Sequence, residues 1–251
     1  MTVQSPIKNA GLFYLNGLTV ANDGTTPNSI VTIAAGAARN STNLNDIVVA
    51  SALSVSNIVS GVNGLDTGAV ANSTFYALFV IGDSSGFEPA AGLLSLSGSA
   101  PTLPFGYDMF RRVGWMLTSG AAAFLAVSQS GLGNSRTMWY HVPIATSITA
   151  GGSATYAAVS LVASVPAQEA EVIFHASFTP TAPNDELNLR HGDSAAANAG
   201  MAVASGAVAG VVEVTSMRCP ASSTSASAVD YKVDGSAVAL NVSGYVDELG
   251  L

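Results

Sequence analysis

Ionisable side chains are scarce in this sequence. Asp, Glu, Lys and Arg make up only 10% of its 251 residues, against roughly 25% in an ordinary soluble protein. A folded monomer of 25.2 kDa exposes on the order of 10,000 Å², so the ionised groups stand about one per 400 Å². Much of that surface is therefore expected to be covered by further copies or by a larger assembly. The low charge, joined to 49% apolar residues, excludes a disordered chain, which needs high charge and low hydrophobicity.

Positive charge is scarcer still. Lys8 and Lys232 are the only lysines and the formal net charge is -8, which argues against a nucleic-acid partner, because phosphate binding needs clustered bases. Arg111 and Arg112 are the only adjacent bases, and neighbours on a strand point to opposite faces. Cys219 is the single cysteine, so no disulfide framework holds the fold, and a reducing compartment is compatible with it. Long apolar runs are missing too. Ser, Thr, Gly or Asn breaks each one short of the ~18 residues of a membrane span, and Met1 to Lys8 has no secretory leader pattern. The expectation is a chain made in the cytoplasm, with no membrane insertion and no cofactor.

What is present is a period of two. Thr74 to Ile81 is a β-branched and aromatic run closed by Gly82-Asp83-Ser84-Ser85-Gly86, which is a strand followed by turn residues. Leu12 to Leu15 and Leu18 to Val20 around Asn16-Gly17 predict a tight hairpin. Ser29 to Ala34, Asp46 to Ala50 and Gly92 to Ser97 predict further strands, and Phe110 to Thr118 with Ala122 to Ser128 predicts a second hairpin. A Gly/Ser-rich stretch, Ser130 to Ser135, suggests a boundary, giving an N-terminal multi-stranded β domain over residues 1-136 and a second domain over 137-251. In the latter, Tyr156 to Leu161, Glu171 to Phe178, Glu186 to Arg190, Gly210 to Arg218, Val229 to Val233 and Ala237 to Tyr245 have the spacing of a β-sandwich or jelly roll. The fold class expected is all-β with little helix. Alanine-rich Ala195 to Ala209 is interrupted by glycines, and Leu103 to Tyr107 reads as a turn.

Three stretches imitate catalytic or metal sites. Gly82-Asp83-Ser84-Ser85-Gly86 fits G-x-S-x-G, but Phe87-Glu88-Pro89 follows where a nucleophile elbow needs a helix. Asp66-Thr67-Gly68 has the form of an aspartic-protease loop without a second copy. His191-Gly192-Asp193, with Asp185-Glu186 and His175, has metal-binding residue types, yet reads as easily as turns. Cys219, followed by Pro220, reads as a small buried hydrophobe. No catalytic, cofactor or metal residue is assigned. A hydrolase acting through Ser84 or Asp66 is the minority reading.

Several stretches together resemble a family of structural proteins of tailed bacteriophages, comprising tail-fibre, head-fibre and virion proteins. They are Leu12-Phe13-Tyr14-Leu15-Asn16-Gly17-Leu18 with Ile33 to Asn43 and Asp46 to Val49, then Gly61 to Gly68 with Ser73 to Ala77 and Val80 to Ser84, then Pro104-Phe105-Gly106-Tyr107 with Phe110 to Trp115 and Gln129. The resemblance covers roughly residues 10 to 140 and weakens toward the C-terminus. It implies a non-enzymatic, commonly trimeric building block on the virion, with Asp66-Thr67-Gly68 and Gly82-Asp83-Ser84 as loop signatures. No long shaft is present, which favours a short tail appendage, with a capsid decoration or head-fibre protein as the alternative. A further alternative is a receptor module whose C-terminal aromatics stack on host-surface glycans. The expected partners are the chain itself, as a trimer, and other virion proteins. Tyr107, Phe110, Arg111, Arg112, Trp115 and Trp139 are the interface candidates. Arg111 and Arg112 are chosen because a guanidinium fork suits carboxylates across an interface. Chain ends, which fray unless tied down, are expected to be held by neighbouring subunits.

Overall fold

A computed structural model describes residues 14-146, 148, 153-167, 170-194, 200-222 and 228-249. The fold is all-β, and no helix occurs among these residues. The chain divides into two compact units, Met1–Met138 with Asp247–Leu251, and Trp139–Val246.

The first unit carries β1 (Leu15–Gly17), β2 (Val20–Asn22), β3 (Ile30–Ile33), β4 (Gly36–Arg39), β5 (Asp46–Val49), β6 (Leu53–Ser56), β7 (Gly64–Leu65), β8 (Phe75–Gly82), β9 (Ala91–Ser95), β10 (Met109–Leu117), β11 (Val127–Leu132) and the opening of β12 (Ser135–Ala145). β1-β4-β5 form one sheet, β10-β8-β9-β7 a second, and β12-β11-β2-β3-β6 run side by side in a third. β8 is the run with the strongest strand pattern in the sequence, and its uninterrupted apolar character has a structural reason. It is central in its sheet and covered on both sides, as a continuous apolar strand should be. Ala77, Phe79 and Ile81 join Ala91, Leu93, Tyr107 and Trp115 in one core cluster, with Phe75, Leu103 and Phe110 packed against it. On the other side Gly92 of β9 lets β6 approach, since a Cβ there would stand 2.1 Å from Val55 Cγ2.

The second unit carries the remainder of β12, then β13 (Ala157–Ser160), β14 (Ala170–Thr179), β15 (Glu186–His191), β16 (Ala202–Ser205), β17 (Glu213–Ala221), β18 (Ala228–Val233) and β19 (Ser236–Glu248) up to Val246. Two sheets, β17-β14-β19-β12 and β13-β18-β15-β16, form a sandwich. Val172, Phe174, Phe178, Cys219, Leu240 and Val242 are buried on the first sheet, and Leu187, Leu189, Val229 and Val233 on the second. Each set alternates with more accessible residues on most strands, the pattern of a two-layer core.

Two local expectations change. The Asn16-Gly17 pair does not close a hairpin: Asn16 lies inside β1, which pairs with β4, while β2 pairs with β3 and β11. The chain does turn left-handed at Gly17 (φ 65°) and Leu18 (φ 56°), but the strands on either side enter different sheets. Gly17 is required because a Cβ would stand 2.3 Å from the Ala35 carbonyl oxygen. Leu12 and Phe13, with the chain ends at 1-13 and 250-251, lie outside the described residues. Secondly, the hairpin around Ser119-Gly120 is short: the bridge of Thr118 to Phe124 is flanked by the Ser119 N–H donating to the Ala123 carbonyl and the Leu125 N–H donating to the Leu117 carbonyl, before the chain departs to β2 as β11. The Gly/Ser-rich stretch Ser130 to Ser135 stands just ahead of the division after Met138. It forms the end of β11 and the turn into β12, with Gly133 left-handed at φ 60°. The turn at Leu103 to Tyr107 is present, closed by Tyr107 N–H donating to the Pro104 carbonyl.

Candidate interaction surface

The loop after β8 imitates a nucleophile elbow, and its hydrogen bonds show what its residues do. Asp83 Oδ1 accepts from the Ser85 backbone N–H (2.9 Å), and Oδ2 accepts from the Phe87 and Glu88 N–H groups (2.8 and 3.1 Å). The Ser85 hydroxyl donates to the same carboxylate. Led by the Ser85 hydroxyl, these donors hold Asp83 well below the usual carboxylate range, at about 2. Ser84 gives both its backbone N–H and its hydroxyl to Asp108. The segment is thus a self-capped turn, and the Ser84 hydroxyl is engaged by a carboxylate just ahead of β10.

The other two imitations are also turns. Asp66 Oδ2 accepts from the Thr102 N–H (3.0 Å) and Gly68 is left-handed at φ 73°. Asp185 accepts from the Thr181 hydroxyl and the Thr181 and Ala182 N–H groups, which lower its pKa. His191 and Asp193 lie together at the end of β15, whereas His175 faces outward on β14 of the other sheet, beside Ser216 and Asn241 in register. No group of three or more His, Cys, Asp or Glu able to hold a metal ion occurs among the described residues. Cys219 is 0% exposed, and burial, with the Asp230 and Glu171 charges, pushes its thiol up to about 12. It stays protonated and apolar at neutral pH.

Four interface candidates of the first unit, Tyr107, Arg111, Arg112 and Trp115, are buried within the chain's own contacts. Arg112 donates through Nη1 to both oxygens of Asp247 (2.8 and 2.9 Å) and through Nη2 to the Glu248 carbonyl. Its guanidinium lies 5.3 Å from the Trp115 ring centre. Arg111 donates to the Leu249 carbonyl and to Asn134, and Arg136, also buried, donates to the Gly17 and Gly133 carbonyls. The arginine fork does meet a carboxylate, as its chemistry favours, but within one chain. The physical reason is the return of residues 247-249 alongside β10, which covers both guanidinium groups. Trp115 and Tyr107 are buried in the core, the latter donating its hydroxyl to the Pro89 carbonyl (3.0 Å). Phe110 is half-buried edge-on to Phe79 at 5.7 Å, and Trp139 is half-buried on β12.

The aromatics that do face water are two others. Phe87 is 90% exposed and Phe105 fully so. Their loops touch: a Cβ on Gly106 would stand 3.1 Å from Glu88 Cγ, and the Tyr107 hydroxyl bonds the Pro89 carbonyl. Asp83, Glu88 and Asp108 lie in the same loops, and a recess of about 300 Å³ beside them is lined by Asp46, Asp83, Glu88, Pro89 and Met109 among others. Both rings were legible as loop residues from their flanks, Gly86-Phe87-Glu88-Pro89 and Pro104-Phe105-Gly106, since a core aromatic usually stands in an alternating strand. Comparisons with protein-family models, with curated proteins and with solved structures give no match to this chain.

Proposed function

We propose that this chain is a structural component of a tailed-phage virion, a homotrimeric, tail-associated appendage protein that works by adhesion and catalyses no reaction. The observation that carries the reading is how little charge the folded chain leaves on its surface. Three of its six arginines are buried, and Asp230 and Asp247 are buried with arginine partners. Apolar side chains stand in their place: Leu44, Ile58, Leu132 and Val142 are each at least three-quarters exposed, and Met201, Val203, Val208, Val211, Val212 and Val214 are each at least half exposed. Single exposed hydrophobics are ordinary. So many on a surface this poor in charge fit a subunit covered by copies of itself. The sheet edges β6, β16 and β17 carry no lysine to discourage pairing. The motif resemblance between residues 10 and 140 supplies the virion setting and the trimer.

Multi-angle light scattering on the purified chain tests the reading. A mass near three times 25.2 kDa is expected, and a monomer that persists at high concentration would count decisively against it. Within the class, the copy number of the chain in a reconstructed particle separates a tail appendage from a capsid decoration.

A further inference from the structure

The geometry points to the surface formed by residues 83-90 and 104-108 as a docking site for a different protein, one that presents basic side chains around an apolar recess. This inference does not depend on the virion reading or on the chain's own assembly.

Three observations converge on it. The first is the pair of phenylalanines held in water on touching loops, Phe87 and Phe105. Large exposed aromatics are the side chains that most often anchor an interface. The second is rigidity. The Asp83 carboxylate ties down the N–H groups of Ser85, Phe87 and Glu88, Ser84 is bonded to Asp108, and Tyr107 is bonded to Pro89. The loop backbone that carries the rings is therefore held before any partner arrives, which removes part of the ordering cost of binding. The turn that imitates a catalytic motif is the scaffold of this presentation.

The third is charge, and it selects the occupant. Asp83, Glu88 and Asp108 accompany the rings. Among the described residues, a second copy offers no base that is not already buried or paired. In the described residues of the first unit the bases are Arg39, Arg111, Arg112 and Arg136; the last three are buried and Arg39 is paired with Asp46 at 3.3 Å. In the second unit Arg190, Arg218 and Lys232 already face Asp230, Glu171 and Asp234. A complementary surface must bring its own positive charge, and the recess of about 300 Å³ has room for a lysine or arginine head.

The test uses the full chain and three synthetic peptides of about a dozen residues with the same Leu and Trp core, flanked by Lys and Arg, by Ser, or by Asp and Glu. The basic peptide is expected to bind about tenfold or more tightly than the Ser-flanked one, and the preference to shrink several-fold between about 50 and 300 mM salt. Phe87→Ser with Phe105→Ser should weaken that binding about tenfold. Leu132→Ser, at a residue 91% exposed on the β11 hairpin, should leave it unchanged, and thermal melts check that both variants fold. Equal affinity for the three peptides, or binding that survives loss of both rings, overturns the proposal. So does a fall in assembly state on replacing the rings, because the surface would then cover a second copy.

Discussion

Asp83 shows how one carboxylate can order a loop. Its oxygens collect hydrogen bonds from the residues that follow it, and its pKa falls to about 2 from the ordinary 3.8. A carboxyl group depressed in the folded state contributes its stabilisation above its unfolded pKa and loses it as pH falls through the folded value. The loop is therefore expected to keep its structure from neutrality down to about pH 3 and to loosen near pH 2. Amide resonances of Ser85, Phe87 and Glu88, followed through an acid titration, report this directly. Movement beginning near pH 4 would show that Asp83 does not hold these donors. Asp83→Asn should release the same amides to faster hydrogen exchange at neutral pH, because an amide nitrogen cannot accept from the Phe87 and Glu88 N–H groups.

Strands differ in how plainly the chain announces them. β8 was legible because an apolar run covered on both faces has no alternative reading as a loop. The inward faces of β14 and β19 were legible for a similar reason, Phe174, Phe178, Leu240 and Val242 recurring at every second position. Asn16-Gly17 misled because a turn dipeptide reports local backbone preference, whereas the fate of the flanking strands depends on β4 and β3, which pair with them from farther along the chain. The candidate site divides in the same way. The loop character of residues 82-86 was readable from Gly, Asp and Ser, but the inward turn of Arg111 and Arg112 was not, since Arg112's carboxylate partner lies 135 residues away. That clasp between β10 and the end of β19 is open to measurement. Arg112→Ala should cost about 3–5 kcal/mol in denaturant unfolding, since Asp247, 0% exposed, would be left as a buried uncompensated charge. Replacing both, Arg112→Met with Asp247→Leu, should recover most of that loss. Equal destabilisation by the single and double variants would assign the effect to packing and not to the ion pair.

At the scale of the whole chain, half of the arginines are buried and many apolar groups are displayed. Contacts among copies should accordingly be apolar and the contact with a basic partner electrostatic, and salt tells them apart. The self-assembled mass is expected to persist in about 1 M NaCl, where screening reaches within about 3 Å, while the preference for the basic peptide over the Ser-flanked one at the Phe87 and Phe105 loops is abolished. Dissociation of the assembly by salt would mean that copies are joined by ion pairs across their contacts.

The carboxylate that Arg112 grips is translated after the whole of the second unit. When residue 138 leaves the ribosome, two guanidinium groups beside β10 still await the acid and carbonyls that will neutralise them. The N-terminal unit consequently matures last in one respect although it is made first, and a polypeptide released early would carry a visible defect at its centre. Closure of the first unit around β10 thereby waits on residues that follow the whole of the second.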